Sequence, residues 1–472
     1  MTNYSSLLKL LLAAIMFSIS LTSWSQEKFG YQITLKLGNI EDEQILLAYD
    51  LGSKTYIKDT GKIENKKVVF QGMEPLPAGI YKIVVGKNYD YAEFLVDEYN
   101  QKFKLSIDRS KDGKNIYFSN IIYSKENEIF RALIDFITKK RKESEQIDSS
   151  NKAALNKIDQ EVRAYRDALI KNEPNSFTAT LIKAAKEVDI PEALNNITDE
   201  KERQLQRYVY YKQHYFDNIN MSDERLIRTP ILASKMDYYL NKLTVQHQDS
   251  INISIDHLVT LSSKNKETFK NCIIYSTNLY ANSKVSCYDA CYVHCIDTYY
   301  TNSNAPFGGS FWLNDAEKEK CEIAAEKLRP VLCNVTAPNL MLSSLTEANT
   351  SFSLNSIGAK YTVLLFWSNT CRECDDAISM LKENYVGYKA RGIEIVGIAY
   401  TYDDSKIESY KEYIKNKNIP WINSIDDNKN YGEAAKKYKI YKYPTCYLLD
   451  EGKKIIYKHL TVESIVEYFK NK

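Results

Sequence analysis

The fold of the C-terminal part of this chain is decided by residues 361–374, which read YTVLLFWSNTCREC. The run over residues 361–367 is almost continuously apolar, which is typical of a strand buried on both faces of a parallel sheet. Two cysteines, Cys371 and Cys374, follow this run at a spacing of one helical turn. A buried strand leading into a helix that carries two cysteines indicates an α/β domain with a reactive site at the junction.

The pattern continues beyond this junction as alternating helices and strands. The spacing predicts a helix over residues 371–391, a second buried strand over 393–399 and a helix over 406–416. The sequence Asp-Glu-Gly at 450–452 indicates a hairpin, and residues 461–470 are predicted to form a closing helix. A strand, a helix and a second strand in this order require parallel strands and a right-handed crossover.

The two cysteines suit thiol–disulfide chemistry because of their place in these elements. Cys371 lies where the helix begins, so its sulfur is close to unpaired backbone N–H groups and to the positive end of the helix dipole, and both favour the thiolate. Cys374 lies on the same face and can close a disulfide with Cys371. A structural disulfide is the alternative, but the strand–helix context favours redox chemistry.

Three neighbouring residues are candidates for tuning these thiols, namely Thr370, Arg372 and Glu373. Arg372 adds a cation beside Cys371, whereas the carboxylate of Glu373 opposes thiolate formation. Thr370 and Glu373 also have the spacing of a capping box, which would assign Glu373 to the helix start rather than to the chemistry.

The C-terminal region resembles the thioredoxin superfamily, and most closely the exported ResA/TlpA-like thiol–disulfide oxidoreductases. The residues that carry this resemblance are LLFW at 364–367, the pair Cys371 and Cys374, and Tyr443-Pro444-Thr445 leading into a strand. The resemblance implies a thioredoxin fold in which Pro444 is cis and faces the cysteine pair. It also implies that Tyr443, Pro444 and Thr445 position an extended substrate.

The chain departs from this family at positions that affect the second cysteine. Leu365 stands where thioredoxins bury an acidic residue, and Ala377 and Ser379 stand where ResA/TlpA-like proteins have glutamate and proline. Asp375 is close in sequence but also suits the start of a helix. The sequence therefore does not locate a proton acceptor for Cys374.

The full chain of 472 residues is long enough for about three domains. Residues 1–25 read as a secretory signal, with a short apolar run and small residues before Gln26. Residues 26–122 alternate apolar and polar positions between turn residues, which predicts an antiparallel β domain. Residues 123–332 change to helical spacing, which predicts a mostly helical domain, and residues 333–472 form the thioredoxin-like domain.

The first two regions are similar to an uncharacterised β domain and helical domain that precede such modules in exported bacterial proteins. The stretches MSDERL at 221–226 and YVHCIDTYY at 292–300 carry this second resemblance. It implies an architecture and no established activity.

Charge and hydropathy restrict the possible location and partners of the protein. Lys and Arg number 63 against 61 Asp and Glu, a net charge of +2, which argues against nucleic acid as a partner. Beyond the signal, no apolar stretch is long enough to span a membrane, so we expect no stable membrane span after cleavage. The predicted location is exported, periplasmic or associated with the cell envelope, where disulfides can form.

The other cysteines predict neither a metal site nor a cofactor. Cys287, Cys291 and Cys295 fall on one stripe of a predicted helix, and core packing is favoured over zinc because a two-residue gap and a second ligand cluster are lacking. Cys333 is among the remaining cysteines that can form structural disulfides, and the sequence does not pair them.

These features predict an exported thiol–disulfide oxidoreductase that exchanges disulfides with a protein partner and is served by an exported or membrane reductant. One alternative is a thiol peroxidase of the peroxiredoxin type. It is disfavoured because Leu364 replaces the proline that such enzymes need, although Ser368 meets the hydroxyl requirement. The other alternative is a binding protein with a subsidiary redox module.

Overall fold

The structure, a computed structural model, describes residues 30–42, 44–52, 54–401, 403–426 and 432–472. The predicted signal at residues 1–25 lies outside the described residues. The described chain forms two compact units, of which the first ends at Met236 and the second begins at Asp237.

Two four-stranded sheets build the first part of the first unit. Their strands are β1 (Tyr31–Leu37), β2 (Ile45–Leu51), β3 (Lys54–Gly61), β4 (Lys67–Gly72), β5 (Gly79–Val85), β6 (Asp90–Val96), β7 (Lys102–Arg109) and β8 (Ile116–Ile122). The strand orders are β4-β1-β7-β8 and β3-β2-β5-β6. The prediction of an antiparallel β domain is confirmed, although β1 and β7 pair in parallel.

One core joins the two sheets. Alternate residues of β1 and β7, such as Ile33 and Phe103, point into it, and Tyr81 and Phe94 enter it from the other sheet. All four are buried, because one face of each sheet is apolar. In β1 and β7 the alternation read from the sequence is the alternation between this core and a more exposed face, whereas most residues of β2 and β5 are buried on both faces.

Helices follow the sheets, which confirms the predicted helical region. They are α1 (Lys125–Glu145), α2 (Lys152–Asn172), α3 (Phe177–Ala184), α4 (Glu192–Asn195), α5 (Glu200–Gln213), α6 (Pro230–Asn241), α7 (Gln248–Ser262), α8 (Lys266–Ala281), α9 (Asp289–Cys295) and α10 (Asp315–Leu328). Side chains cap several of them; Asn314 and Glu317 form a capping box at the start of α10.

A seven-stranded sheet organises the C-terminal part of the second unit. Its strands are β9 (Met341–Ser344), β10 (Ser351–Ser353), β11 (Tyr361–Trp367), β12 (Ile393–Tyr400), β13 (Ile422–Asp426), β14 (Thr445–Asp450) and β15 (Ile455–Leu460), and its helices are α11 (Arg372–Ala390), α12 (Ile407–Lys417), α13 (Glu433–Lys437) and α14 (Val462–Lys470). The strand order is β10-β9-β13-β12-β11-β14-β15. The predicted parallel pairing of β11 with β12 is present, and β14 pairs with β11 antiparallel.

Strand β11 separates two cores, which explains its continuous apolar sequence. Val363, Leu365 and Trp367 enter one core together with residues of α11, α12 and α14. Leu364 and Phe366 point the other way, into a second core. Because both faces of the strand are covered, each of its residues from 362 to 367 is buried.

The helical segment before the sheet is fixed to it at β15. Lys458 is only 2% exposed, forms an ion pair with Asp289 at the start of α9 and donates a 2.7 Å hydrogen bond to the Val331 carbonyl. A disulfide joins Cys287 to Cys333. Val331 and Cys333 both belong to the second core of the sheet, so this packing is part of one folded unit.

Candidate functional site

Cys371 lies at the boundary between a loop and helix α11. It is the N-cap residue, half-buried, with extended backbone angles, and no side chain caps the helix. The capping box expected from Thr370 and Glu373 is wrong by one residue, because the helix begins after Cys371 rather than after Thr370. The Thr370 hydroxyl instead lies 3.0 Å from the hydroxyl of Ser368.

Cys374 lies inside the protein, one turn into the same helix. It is fully buried in the core that also contains Trp367, Ile378 and Cys446. Burial raises the pKa of the Cys374 thiol, and its hydrogen bond with Cys371 raises it further. The pair is therefore asymmetric, with one sulfur reachable from solvent and the other held in its neutral form.

The loop before β14 lies against the exposed cysteine. The peptide bond between Tyr443 and Pro444 is cis, as the resemblance implied. The Tyr443 carbonyl accepts a 3.6 Å hydrogen bond from Cys371 Sγ. The Tyr443 ring stacks on Tyr400 at 5.9 Å between centroids. The third predicted positioning residue, Thr445, is buried, and its hydroxyl donates to the Lys442 carbonyl at 2.8 Å.

The three candidate tuning residues have different surroundings. Glu373 Oε2 accepts a hydrogen bond from Cys371 Sγ at 3.5 Å, so the carboxylate lies against the reactive thiol rather than capping the helix. Arg372 is exposed to solvent beside Cys371. Thr370 is held by Ser368 through its backbone N–H at 3.4 Å as well as its hydroxyl.

Leu365 and Ala377, the two positions at which the family resemblance implied an acidic residue, lie with Cys374 in one apolar core. Leu365 is fully buried and pairs across the sheet with Cys446, whose thiol pKa is raised by burial to about 12. Ala377 is also buried. Asp375 accepts a hydrogen bond from the Tyr413 hydroxyl. Tyr413 was not predicted from the sequence, because nothing in its local pattern distinguishes it from the other tyrosines of the chain.

The cysteine stripe predicted on one helix is interrupted. Cys287 has a left-handed φ of 71°, precedes α9 and is bonded to Cys333, whereas Cys291 and Cys295 are free and buried inside the helix. The expectation that all three pack as free core residues is therefore wrong for Cys287. Within the described residues, no group of three or more His, Cys, Asp or Glu side chains could hold a metal ion.

A buried strand, a cysteine pair at the start of the following helix and a cis-proline loop against the first sulfur define a thioredoxin-like thiol site. Residues 334–458 match the AhpC/TSA family, and residues 138–330 match a domain of unknown function (DUF5106). The latter range covers most of the helical region.

Curated relatives of this chain are thiol–disulfide oxidoreductases. ResA of Bacillus cereus (strain ATCC 10987 / NRS 248) is 29% identical over 158 residues, which cover 33% of this chain and 81% of the relative. ResA of Oceanobacillus iheyensis is 26% identical over 138 residues, which cover 28% of this chain and 68% of the relative.

Solved structures show further similarity. A thioredoxin-like protein from Bacteroides caccae aligns with a TM-score of 0.43 and 20% identity, over 61% of this chain and 98% of that one. A domain of a possible thiol-disulfide isomerase from Cytophaga hutchinsonii aligns with a TM-score of 0.27 and 30% identity, over 30% of this chain and 93% of that one.

The C-terminal part of this chain is a thioredoxin-like domain that matches the AhpC/TSA family model and is similar to the ResA thiol–disulfide oxidoreductases. The chain is thus an oxidoreductase of the thiol–disulfide class, as predicted. Among the helices that the structure describes, none is both long and apolar enough to cross a membrane.

Proposed function

We propose that this protein is an exported thiol–disulfide oxidoreductase that exchanges disulfides with a protein partner through Cys371 and Cys374. The observation that carries this proposal is the asymmetry of the pair. Cys371 is half-buried at the helix start, and Cys374 is fully buried one turn further on. A reachable sulfur can attack a large partner, and a shielded sulfur is kept for the second step.

The exchange proceeds in two balanced steps. The Cys371 thiolate attacks one sulfur of the partner disulfide, the partner S–S bond breaks, and a mixed disulfide forms as the other partner sulfur leaves as a thiolate. Cys374 then attacks Cys371, releases the second partner sulfur and closes the Cys371–Cys374 disulfide. The partner gains two electrons, and an exported or membrane reductant restores the two thiols.

The loop of Tyr443, Pro444 and Thr445 is the proposed surface for the partner chain. The Tyr443 carbonyl lies within 3.6 Å of Cys371 Sγ, so an extended segment at this backbone would present its disulfide to the attacking sulfur. Thr445 contributes through its backbone, because its side chain is buried. Thr370, Arg372 and Glu373 are proposed to tune the thiols, and the charge of Glu373 contributes to the raised pKa of Cys374.

Export is supported by two independent features. The first 25 residues have the composition of a cleavable signal. The Cys287–Cys333 disulfide also suits a compartment where disulfides persist. We therefore propose a periplasmic or cell-envelope location. The proposed domains are residues 1–25 (signal), 26–122, 123–332 and 333–472.

A trapping experiment tests the proposal. In the mature full-length protein, Cys374→Ser should accumulate mixed disulfides, visible on non-reducing gels, because attack proceeds and resolution does not. The double variant Cys371→Ser/Cys374→Ser should trap nothing. Cys321→Ser is the matched control, since Cys321 is another free and partly exposed cysteine, and it should behave like the unmodified protein.

The same proteins distinguish the alternatives. The unmodified protein should accelerate insulin reduction by dithiothreitol and leave hydroperoxide unconsumed. Hydroperoxide consumption that depends on Cys371 would favour a thiol peroxidase, and absence of both activities would favour a binding protein. Complexes that form through Cys374 in a Cys371→Ser variant would reverse the proposed roles.

A further inference from the structure

A glycine stands in the middle of a central, buried strand of the second unit. Gly397 belongs to β12, whose residues from 393 to 399 are all buried. Glycine weakens a strand because it has no side chain to pack, and inside a strand it often marks a place where a ligand or another backbone approaches closely. The φ of Gly397 is not positive, so its backbone conformation is open to any residue. The reason for a glycine therefore lies in the space beside its Cα atom.

Three polar atoms converge on that space. A Cβ atom placed on this glycine would lie 3.0 Å from Trp421 Nε1, 3.2 Å from Trp367 Nε1 and 3.3 Å from Asn423 Oδ1. Each of the three side chains is at most 4% exposed. Among the residues that the structure describes, none offers a hydrogen-bond partner to any of these three atoms. Because buried polar groups almost always have a partner, the three atoms together indicate a bound molecule.

The amide of Asn423 is fixed with its oxygen toward Gly397. Its Nδ2 donates to the Trp421 carbonyl at 2.7 Å and to the Ile419 carbonyl at 3.5 Å. Turning the amide over would place its oxygen against these two carbonyl oxygens, none of which can donate a hydrogen. An indole nitrogen can only donate. The space beside Gly397 is therefore met by two N–H donors and one carbonyl acceptor.

A single water molecule matches this set of groups. It accepts one hydrogen bond from each indole and donates one to the amide oxygen, and about three hydrogen bonds are typical of a buried water. An anion would be repelled by the amide oxygen, and a cation would be repelled by the two N–H groups. The groups thus select a small neutral molecule that both donates and accepts hydrogen bonds.

Strand pairing places these groups on the face of the sheet that packs against α11. Gly397 pairs with Leu365 on one side and with Asn423 on the other. Paired residues point to the same face of a sheet, and Leu365 points into the core that also contains Cys374. The polar groups therefore lie one strand away from Leu365, the position at which the family resemblance implied a buried acid.

We propose that Gly397, Trp367, Trp421 and Asn423 form a binding site for one internal water molecule. Both indole N–H groups donate to the water oxygen, and the water donates one hydrogen to Asn423 Oδ1. The water thereby links the end of β11 to β13 across β12. Glycine is required at position 397 because a side chain there would occupy the space of the water. This inference does not depend on the proposed exchange reaction.

Water-selective NMR of the mature full-length protein, with 15N in its tryptophans, tests the site. Without residues 1–25 the chain contains three tryptophans, Trp312, Trp367 and Trp421, so three indole signals are expected. The variants Trp312→Phe and Trp421→Phe assign them. In the rotating frame, a long-lived bound water gives cross-peaks opposite in sign to those of hydrogen exchange. We expect such cross-peaks from water to the indole protons of Trp367 and Trp421.

Two glycine variants control this measurement. Gly397→Ala should abolish both cross-peaks, because the added methyl group takes the place of the water. Gly358→Ala should retain both, since its added Cβ meets no atom within 4 Å. Cross-peaks relayed through nearby hydroxyl groups would persist in Gly397→Ala, and that persistence would overturn the proposal.

A crystal structure of the unmodified mature protein gives an independent answer, even where Gly397→Ala fails to fold. We expect one peak of density at hydrogen-bond distance, about 2.7–3.2 Å, from both indole nitrogens and from the Asn423 oxygen. A direct hydrogen bond from either indole to that oxygen, with no density between them, would overturn the proposal. Neither measurement involves disulfide exchange, so its failure would leave the proposed function intact.

Discussion

Cys371 and Cys374 lie one helical turn apart, whereas the disulfide between Cys287 and Cys333 joins positions separated by 46 residues in sequence. Both pairs belong to the second unit of the chain. The first pair combines a reachable sulfur with a buried one, and a disulfide between them would constrain only a few residues of the chain. The second pair closes a long loop and anchors it to the core beneath the sheet. A cysteine pair that closes a short loop thus serves redox chemistry, whereas a cysteine pair that closes a long loop serves stability.

The largest effect is expected from removal of the reachable sulfur of Cys371. Cys371→Ser should lower the rate of disulfide exchange by about 1000-fold or more, because no other group replaces the nucleophile. Thermal unfolding of the same variant should match the unmodified protein, since Cys371 only partly contributes to the core. Insulin reduction measures the loss of activity, and calorimetry measures the unchanged thermal unfolding. Retained activity would show that another cysteine performs the attack.

Removing the second pair should give the opposite result. Cys287→Ala/Cys333→Ala frees a loop of 46 residues, and we expect a loss of about 4 kcal/mol in the free energy of unfolding. Disulfide exchange should stay within twofold of the unmodified rate, measured on the folded protein. Urea unfolding gives the first quantity, with the reduced unmodified protein as control. A large loss of activity without loss of stability would place this disulfide in the reaction.

The buried ion pair between Lys458 and Asp289 should contribute somewhat less than the disulfide to the free energy of unfolding. Asp289→Asn leaves the cation of Lys458 buried without a counterion, which should cost about 3 kcal/mol of stability. Adding Lys458→Met to this variant should recover part of the loss, because an apolar chain then fills the site. A double variant less stable than Asp289→Asn alone would contradict this account. Urea unfolding of Asp289→Asn, of Lys458→Met and of the double variant completes the double-mutant cycle.

Buried thiols provide the smallest effect. Burial raises the pKa of Cys272, Cys295 and Cys446 to about 12, from an ordinary value of 9.0. The unfolded chain therefore loses these protons first as pH rises, so stability falls above pH 9, by about 1 kcal/mol per thiol between pH 9 and 10. Unfolding free energies at these two pH values check it. Cys446→Ala should show a shallower fall, and an identical slope would contradict the assignment.

Local sequence was sufficient for the elements that carry the site. The apolar run predicted for residues 361–367 is β11, and the helix expected from residue 371 begins after Cys371, because strand and helix periods depend on neighbouring residues. The cis bond before Pro444 was expected from the family resemblance and is present.

Contacts between distant positions were beyond the reach of the same reasoning. The pairing of Cys287 with Cys333 depends on the packing of α9 and β15, and no spacing rule selects Cys333 among the other cysteines of the chain. The pairing of Tyr413 with Asp375 likewise depends on how α12 packs against α11. Tertiary packing determines both contacts, and the periodicity of the sequence does not predict which elements pack together.

The loop closed by Cys287 and Cys333 also determines how the protein would respond to a protease. Between these cysteines the chain passes Phe307, which is 44% exposed and therefore open to attack. A single cut there would leave the two fragments covalently joined, so the nicked protein would migrate as one species until a reductant was added. Shedding of the catalytic module would then require two events, a cut and a reduction, and the second belongs to the same class of chemistry that the module performs.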